Sequence, residues 1–478
     1  MSAPFEAFLS TPQALAAFDA PAVVQAMLDV EAALVRAQAA VGLVPLPAAQ
    51  AIAGVCKAEL FDVPALVAAS GRAGSLAIPL VRRLTETVAL FDAEAAGYVH
   101  WGSTSQDVID TALALLQRRA LAVLDADLAR LAAALLAVAH THEEAPLLAR
   151  TLLQPAQVIS WGHKAVGWIA PLLRTRSALR VAAEAALQLQ LGGAVGTRAM
   201  LGPEADAIAR HMAEALGLRL PPDAWHTQRD EAARLYAELG VLCGVLGKLA
   251  RDLSLLAQAE VGEAAEPSGS GRGGSSAMPH KRNPVASMVA LAAALRAPQR
   301  VAALLAAMVQ EHERGLGNWQ SELAEAAGLF QSAMGAAAAL AEAVEGLQVD
   351  PARMRRNIDA LHGLVYAEGA SMALAAAGLG KSGAHALLER LSRHTAATGE
   401  PLAEGLRAAL QADAVLRERL GPAFAAERLD ATLEALFDAR RAAEPAIARA
   451  RPRLAALQRE ARALEESPPP WPAPAGAG

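Results

Sequence analysis

Leucines recur at intervals of three and four residues in two stretches of the chain. Between Leu121 and Val138 successive apolar positions are 3, 4, 3, 4 and 3 residues apart, and between Leu235 and Leu256 they are 4, 3, 4, 3, 4 and 3 apart. This alternation places apolar side chains along a narrow helical seam, and such helices pack at shallow angles in bundles. The pattern predicts two long bundle helices. The seams either pack within one chain or partly contact other subunits, and we favour the second because the helices are apolar on more than one face.

The regions around these seams have shorter periodic stretches, broken by loop residues. The pattern predicts a helical N-terminal domain over residues 1–110, a central domain of long helices over 111–352 and a more charged helical domain over 353–466. No segment has the alternating, β-branched pattern of a sheet. The tail 467–478, SPPPWPAPAGAG, is rich in proline and glycine, which predicts disorder. The expected fold class is all-α.

Composition narrows the class of protein further. The chain has 43 Lys and Arg against 49 Asp and Glu, a net charge of −6, which argues against a nucleic-acid partner. Its two cysteines, Cys56 and Cys243, cannot form a disulfide framework or a zinc site and suggest a reducing compartment. The start lacks the pattern of a signal peptide. The longest uncharged run, between Arg36 and Lys57, is broken by prolines and glycines, so we expect helix, loop and helix there, no membrane span, and a cytoplasmic protein.

The stretch 269–284, GSGRGGSSAMPHKRNP, carries the clearest chemical signal. A glycine- and serine-rich stretch is usually a flexible linker, but linkers rarely continue into Met-Pro-His-Lys-Arg-Asn-Pro. A phosphate-binding loop would need a preceding strand and a Gly-Lys-Ser/Thr ending, and neither is present. The pattern instead favours a lid that closes over an anionic substrate and excludes water.

Within this stretch, GSSAMPHKRNP at 274–284 resembles the signature loop of the fumarase/aspartase superfamily, also called the fumarate lyase family. The resemblance implies that Ser275 is the general base and that Lys281 and Asn283 contact a substrate carboxylate. A serine hydroxyl is a poor base unless cations and backbone N–H groups stabilise its alkoxide in a dry site. Lys281 and the glycine-rich backbone are suited to that task.

Further segments resemble the family over most of the chain: VHWGSTSQDVIDTA at 99–112, ARTLLQPA at 149–156 and EHERGLGNWQSE at 311–322. Taken alone, Ser-Thr-Ser before a helix is more often an N-cap than a binding site. The resemblance implies that polar side chains of these segments hold the substrate carboxylates, namely those of His100, Ser103, Thr104, Ser105, Gln106, Arg150, Gln154 and Arg314.

Two positions depart from other branches of the superfamily. Leu152 stands where adenylosuccinate lyases carry the general-acid histidine, and Met288 stands where these enzymes and the argininosuccinate lyases carry the glutamate that pairs with it. Both departures resemble the superfamily's cycloisomerase branch, in which a carboxylate of a carboxylated cis,cis-muconate adds to a double bond within the same molecule. A carboxylate has a low pKa and needs no separate leaving-group acid in the reverse reaction.

The resemblance implies an all-α subunit of three domains, whose central long helices form a tetrameric core with active sites shared between subunits. It implies a small tricarboxylate substrate, no cofactor and no metal. His142 is a further acid/base candidate, but a solvated helix-end histidine beside two glutamates explains it as well, and His226, His280 and His312 are weaker candidates. Two alternatives stay open: an adenylosuccinate-lyase-like C–N lyase with another acid, such as His142, and a non-catalytic structural protein of this fold.

Overall fold

The computed structural model describes residues 4–269, 273–274, 278 and 281–471. In these residues helices dominate, with two small two-stranded sheets between them. The expected all-α class is therefore confirmed.

The first part of the chain folds into helices of modest length around one longer helix. Asp19 and Asp62 begin two of them by accepting the backbone N–H groups of Ala22 at 2.9 Å and Ala65 at 3.0 Å. The expected helix, loop and helix between Arg36 and Lys57 is confirmed. The helices are α1 (Pro4–Ala7), α2 (Pro12–Ala16), α3 (Ala20–Ala40), α4 (Leu46–Gly54), α5 (Val63–Ala73) and α6 (Ala77–Ala89).

The central part contains the long helices of the bundle and one shorter helix. They are α7 (Ser105–Thr141), α8 (Trp161–Ala186), the shorter α9 (Ala205–Leu216), α10 (Asp230–Leu256), α11 (Val285–Ala306) and α12 (Asn318–Glu345). Every leucine of the two seams is buried within the single chain. The expectation that part of these seams contacts other subunits is therefore wrong, because α8, α11 and α12 already cover them.

Two glycines bring α10 unusually close to α11. A Cβ atom on Gly240 would lie 2.7 Å from Cγ2 of Val301, and one on Gly247 would collide with Cβ of Ala294. Both helices are also long enough for their contact to extend over several turns. Small residues at these positions therefore set the spacing of the bundle.

A hairpin between α7 and α8 departs from the expectation that the chain has no strands. Strands β1 (Pro146–Thr151) and β2 (Gln154–Ser160) pair in antiparallel fashion, and a second small pair is formed by β3 (Ala264–Ala265) and β4 (Gln348–Val349). The hairpin turns at Leu152 and Leu153, with φ of 50° and 65°. Left-handed φ at both turn residues usually requires Asn-Gly, so Leu-Leu gave no turn signal in the sequence.

The last part of the chain has a second hydrophobic core, contributed by helices that follow α12. The final helix of the chain, α19, is longer than the short helices expected in this region. It packs against α8 and β2. The helices are α13 (Pro351–Asp359), α14 (Ala367–Leu374), α15 (Lys381–Thr398), α16 (Leu402–Ala412), α17 (Ala414–Leu420), α18 (Leu429–Leu436) and α19 (Ala439–Glu466).

The tail expected to be disordered is packed as far as it is described. Trp471 is 2% exposed, and Arg180 donates to the carbonyl oxygen of Ser467 at 2.9 Å. The expectation is therefore wrong for residues 467–471, because an indole in a proline-rich segment can still be buried by a neighbouring helix. Residues 472–478 lie outside the described residues. The division into domains at 110 and 352 stays a prediction.

Two bundle helices, α11 and α12, are long and apolar enough to span a membrane by length and composition. Helix α12 is mostly buried in the bundle. In α11, Arg296 pairs with Glu6, and Nη1 of Arg300 lies 3.0 Å from a carboxylate oxygen of Glu325. These contacts make both helices part of the folded bundle.

Candidate active site

Asp107 holds together the segments that meet at the start of α7. Its carboxylate accepts the backbone N–H groups of Thr104 at 3.0 Å and of Gly192 and Gly193, both at 2.9 Å. Its Oδ1 also lies 2.7 Å from Nε2 of His226. A carboxylate that accepts several N–H bonds is a rigid anchor. The buried Asp107 thus fixes the helix start against the glycine turn at 192–193.

Arg314 places a positive charge at this helix start. Its Nη2 donates to Thr104 Oγ1 at 2.8 Å and to the Gly193 carbonyl at 2.6 Å, and its Nη1 donates to Gln106 Oε1 at 3.1 Å. Its buried Nε has no partner within the described residues. Burial lowers the pKa of Arg314, and the charges of Asp107 and Asp110 offset this only in part. All its contacts are neutral acceptors, so the guanidinium can still bind an anion.

His100 lies close by in a left-handed conformation, with φ of 60°. Its Nδ1 is 2.6 Å from Oε1 of Glu31, a carboxylate that is 2% exposed. Burial lowers the pKa of His100, but the charge and hydrogen bond of Glu31, together with the charge of Asp107, outweigh burial and raise it. The pair therefore favours a cationic imidazole at the site.

Gln106 is buried and its side chain has internal partners. The amide NH₂ donates to Asp110 at 3.1 Å and to the carbonyl of His226 at 2.9 Å, while the amide oxygen accepts from Arg314. This differs from the expected contact with substrate. The sequence motif identified Gln106 as a residue of the site. Its packing shows which protein groups its side chain contacts.

A buried ionic network lies beneath the site. Arg229 donates to Asp110 at 2.9 Å and to Glu322 at 2.6 Å, and the pKa of Arg229 is raised because these two carboxylates outweigh its burial. Trp319 Nε1 donates to Asp110 at 2.9 Å. The network ties α7 to α10 and α12, which keeps the floor of the site rigid.

Ser103 and Ser105 flank Thr104 and are half-buried. Thr104 immediately precedes α7 and occupies its N-cap position. The N-cap interpretation therefore applies to a residue that also lies at the candidate site. All three residues lie at the helix start where Arg314 contacts the hydroxyl of Thr104.

The signature loop is described only in part. Ser275, like His280, lies outside the described residues. The N–H of Asn283 donates to the carbonyl of Gly273 at 2.8 Å, and Lys281 is exposed. The base of the loop is held by Glu266, whose carboxylate accepts from the N–H groups of Ala286 and Ser287, both at 2.9 Å. Glu266 thus joins the two ends of the loop.

The remaining expected site residues lie at the other end of the bundle. At 1.5 Å per residue, α7 carries the chain about 57 Å from Thr104 to His142. The hairpin with Arg150 and Gln154 follows His142, and Arg150 pairs there with Glu263, which follows the end of α10. One chain therefore does not bring the two groups of expected residues together.

Arg150 has a strong internal partner. Its Nη1 and Nη2 donate to the two carboxylate oxygens of Glu263 at 2.9 and 2.8 Å, and Asn357 donates to the same carboxylate at 2.8 Å. Glu263 is fully buried. This bidentate pair offsets the charge of Arg150, and its contact with a substrate carboxylate stays a prediction.

His142 and Gln154 have few polar contacts. The ring of His142 packs edge-on against Trp161, with centroids 6.3 Å apart, and burial lowers its pKa. The neighbouring Glu143 and Glu144 pair with arginines of α19 and not with His142. Gln154 is exposed at the hairpin turn.

Sequence reasoning missed several residues that support the site. The sequence features that could have identified them differ from residue to residue. Asp107 stands in the His-x-Gly-x-Thr-Ser-x-Asp segment, so the motif contained it. Glu31 is an acidic residue within a strongly apolar helix, a sign of a buried charge with a partner. No sequence feature identifies Glu266, since its role depends on the backbone N–H groups of residues 286–287, which only folding brings close to it.

Comparisons with known proteins extend the resemblance to about nine-tenths of the chain. A model of the lyase family matches residues 8–298. A 3-carboxy-cis,cis-muconate cycloisomerase of Bradyrhizobium diazoefficiens is 47% identical over 431 residues, 90% of this chain and 95% of that protein. A nitrosuccinate lyase of Streptomyces davaonensis is 43% identical, over 84% of this chain and 85% of that protein.

Solved structures agree with these relatives. The crystal structure of a 3-carboxy-cis,cis-muconate lactonizing enzyme from Pseudomonas putida is similar with a TM-score of 0.86 at 40% identity, covering 96% of this chain and 99% of that one. The chain thus belongs to this lyase family, the fumarase/aspartase superfamily that its signature loop resembles.

Proposed function

We propose that the protein is a 3-carboxy-cis,cis-muconate cycloisomerase, which interconverts its substrate and 4-carboxymuconolactone in the protocatechuate branch of aromatic degradation. The similarity over nine-tenths of the chain to a cycloisomerase supports this proposal. The observation that carries it is that the chain has a cationic site at the start of α7 and lacks the acid pair of related C–N lyases. Leu152 and Met288 stand at the two positions of that pair.

The reaction needs one new C–O bond and one proton transfer. A substrate carboxylate oxygen adds to one carbon of a double bond, and the electron pair moves to the carbon next to another carboxylate. Lys281 and Asn283 stabilise the resulting aci-carboxylate, and Ser275 delivers the proton to that carbon. In the reverse direction Ser275 removes this proton and the lactone carboxylate leaves unaided, because it is a weak base.

We assign the other carboxylates of the substrate to the cluster at the start of α7. Arg314 supplies positive charge there, the raised pKa of His100 favours its charged form, and Ser103, Thr104 and Ser105 supply hydroxyl groups. Gln106 positions Arg314, and Arg150 positions the hairpin against Glu263. Gln154, at the hairpin turn, is assigned to the substrate side.

A complete site requires more than one copy of the chain under this proposal. The two groups of residues lie at opposite ends of a bundle whose longest helix spans 37 residues. Helix α11 also carries an exposed apolar stripe through Met288, Leu295 and Ala302. We therefore propose a homotetramer in which the ends of different chains meet. Two buried free cysteines fit a cytoplasmic location.

The first test is an ultraviolet assay of the purified protein with 3-carboxy-cis,cis-muconate, beside adenylosuccinate and argininosuccinate. We expect the diene absorbance to disappear and the lactone to form. Ser275→Ala should lower turnover about 10²–10⁴-fold, the usual contribution of a positioned acid or base, whereas Ser276→Ala should retain most of it. Cleavage of either succinate, with muconate unchanged, would contradict the proposal.

A second candidate is elimination of a nitrogen group from a small dicarboxylate. The similarity to nitrosuccinate lyase favours it. Adding nitrosuccinate to the same assay separates the two, since release of nitrite without loss of muconate would support this candidate alone.

A further inference from the structure

A second concave region lies between α3, α4, α7 and α9. It contains a cavity of about 690 Å³, beside another of about 730 Å³, and Arg36, Ala53 and Lys57 line both. Arg118, on its wall, lies about 21 Å beyond Thr104 along α7 at 1.5 Å per residue. The region is therefore separate from the cluster around Arg314.

Positive charge exceeds negative charge around the cavity of about 690 Å³. Four cationic side chains line it, those of Arg36, Lys57, Arg118 and Arg119, against the carboxylates of Asp29 and Glu214. Arg119 is neutralised by Asp29, with Nη2 2.9 Å from Oδ2. The other three cations form no ion pair with the part of the chain that the structure describes.

Arg118 is a buried cation with no carboxylate partner in the described part of the chain. The side chain is 6% exposed, and its Nη1 donates to the backbone carbonyls of Leu216 and Gly217 at the end of α9. Its buried Nε has no partner among the described residues. Burial and the neighbouring Arg119 lower the pKa of Arg118. A buried cation without a carboxylate is costly, and an anion in the cavity would reduce that cost.

Arg36 and Lys57 are exposed at the mouth of the same cavity. Alanines such as Ala32, Ala33 and Ala53 form much of the remaining wall, which leaves room between the cations. A guanidinium binds carboxylate or phosphate oxygens with two parallel hydrogen bonds, and an ammonium adds a compact charge.

We propose that this cavity binds a small polyanion with two or more phosphate or carboxylate groups. Arg36 and Lys57 contact the ligand at the mouth, and Arg118 provides the positive potential behind it. The site is additional to the proposed cycloisomerase site and does not depend on that assignment.

Isothermal titration of the full-length protein with inorganic pyrophosphate and with citrate tests this proposal. We expect one of these probes to bind with a stoichiometry of one per chain at this cavity. Tighter binding of pyrophosphate would identify a phosphate ligand, and tighter binding of citrate would identify a carboxylate ligand. The affinity should fall as ionic strength rises, because the contacts are charged.

Variants locate the bound probe. Arg36→Ala and Lys57→Ala should each weaken binding about tenfold, since each removes a charge-assisted contact from an exposed position. Arg72→Ala, an exposed arginine on α5, should leave binding unchanged, and so should Arg314→Ala. Absence of binding by both probes, or binding that is lost in Arg314→Ala and retained in Lys57→Ala, would overturn the proposal.

Discussion

The contact between Glu31 and His100 joins a buried carboxylate to a histidine of the candidate site. The two atoms in contact are 2.6 Å apart, and the pKa of His100 is raised although burial acts to lower it. A raised pKa in the folded state means that protonation stabilises the fold. This stabilisation is fully present below the ordinary histidine pKa of about 6.5 and is lost as pH rises through the pKa of the folded protein.

Glu31→Gln should remove this stabilisation, because the neutral amide cannot offset the burial of a charged imidazole. We expect a loss of about 1–3 kcal/mol in the free energy of unfolding at pH 5.5, in line with a buried bond to a charged group, and a smaller loss at pH 8.5. Urea unfolding followed by circular dichroism measures both values. The alkaline limb of kcat/KM against pH should also move to lower pH.

Glu59→Gln is the matched control, since Glu59 is exposed on a neighbouring turn. It should change neither the unfolding free energy nor the pH profile. Equal losses for Glu31→Gln at both pH values would show that the ion pair does not hold His100 in its cationic form.

The hairpin between α7 and α8 has an unfavourable turn. Leu152 and Leu153 adopt positive φ, and their side chains are 97% and 72% exposed. A positive φ costs a residue with a side chain about 1–2 kcal/mol. The exposed leucine side chains add no burial energy in the isolated chain to offset this cost. A contact of the turn with another copy would explain why these residues occupy it.

Replacing the turn by Leu152→Asn with Leu153→Gly should stabilise the hairpin and impair catalysis. Asn-Gly suits the left-handed turn, so we expect a gain of about 1–2 kcal/mol in unfolding free energy. Turnover should fall at least about tenfold because the apolar contact is lost. Leu90→Asn, at an exposed helix end, should affect neither quantity. Unchanged turnover in the double variant would place the turn outside the site.

At the level of the complete molecule, an apolar surface on α11 is exposed in the part of the chain that the structure describes. Both leucine seams are buried, whereas Leu295 of α11 is 71% exposed on the stripe with Met288 and Ala302. The expected residues are also divided between the two ends of the bundle. Both observations fit an assembly in which α11 helices pack together and bring ends of different chains into contact.

Leu295→Glu should therefore dissociate the assembly, because it places a charge within the apolar stripe. We expect a smaller sedimenting species in analytical ultracentrifugation and loss of turnover in the same sample. Val415→Glu, an equally exposed apolar position on α17, is the control and should leave both unchanged. An assembly of full size with Leu295→Glu would exclude α11 as the interface.

Mixing two inactive variants tests whether sites are shared. The proposed assembly assigns Ser275 and His100 of one site to different chains, so subunit exchange between Ser275→Ala and His100→Ala proteins should form some sites with both residues intact. We expect partial recovery of turnover in the mixture. No recovery after demonstrated exchange would mean that both residues serve one site within a single chain.

The periodic spacing of leucines predicted the long helices. A spacing of three and four residues places apolar side chains on one helix face, and this depends only on nearby residues in the sequence. The same local reasoning missed the hairpin, whose turn at Leu152 and Leu153 has no sequence signal. It also assigned the seams partly to other subunits, because a pattern of apolar positions does not specify which helix covers them.

The motifs identified the groups of the candidate site, since the chemistry of His100, Ser275 and Arg314 depends on residue type and short spacing. Roles depended on contacts between distant segments. Gln106 and Arg150 have internal partners, the carbonyl of His226 and the carboxylate of Glu263, which lie 120 and 113 residues away in the chain. Such pairings, like the burial that alters the pKa of His100, arise only when the chain folds, because hydrogen bonds and charges act over a few ångströms.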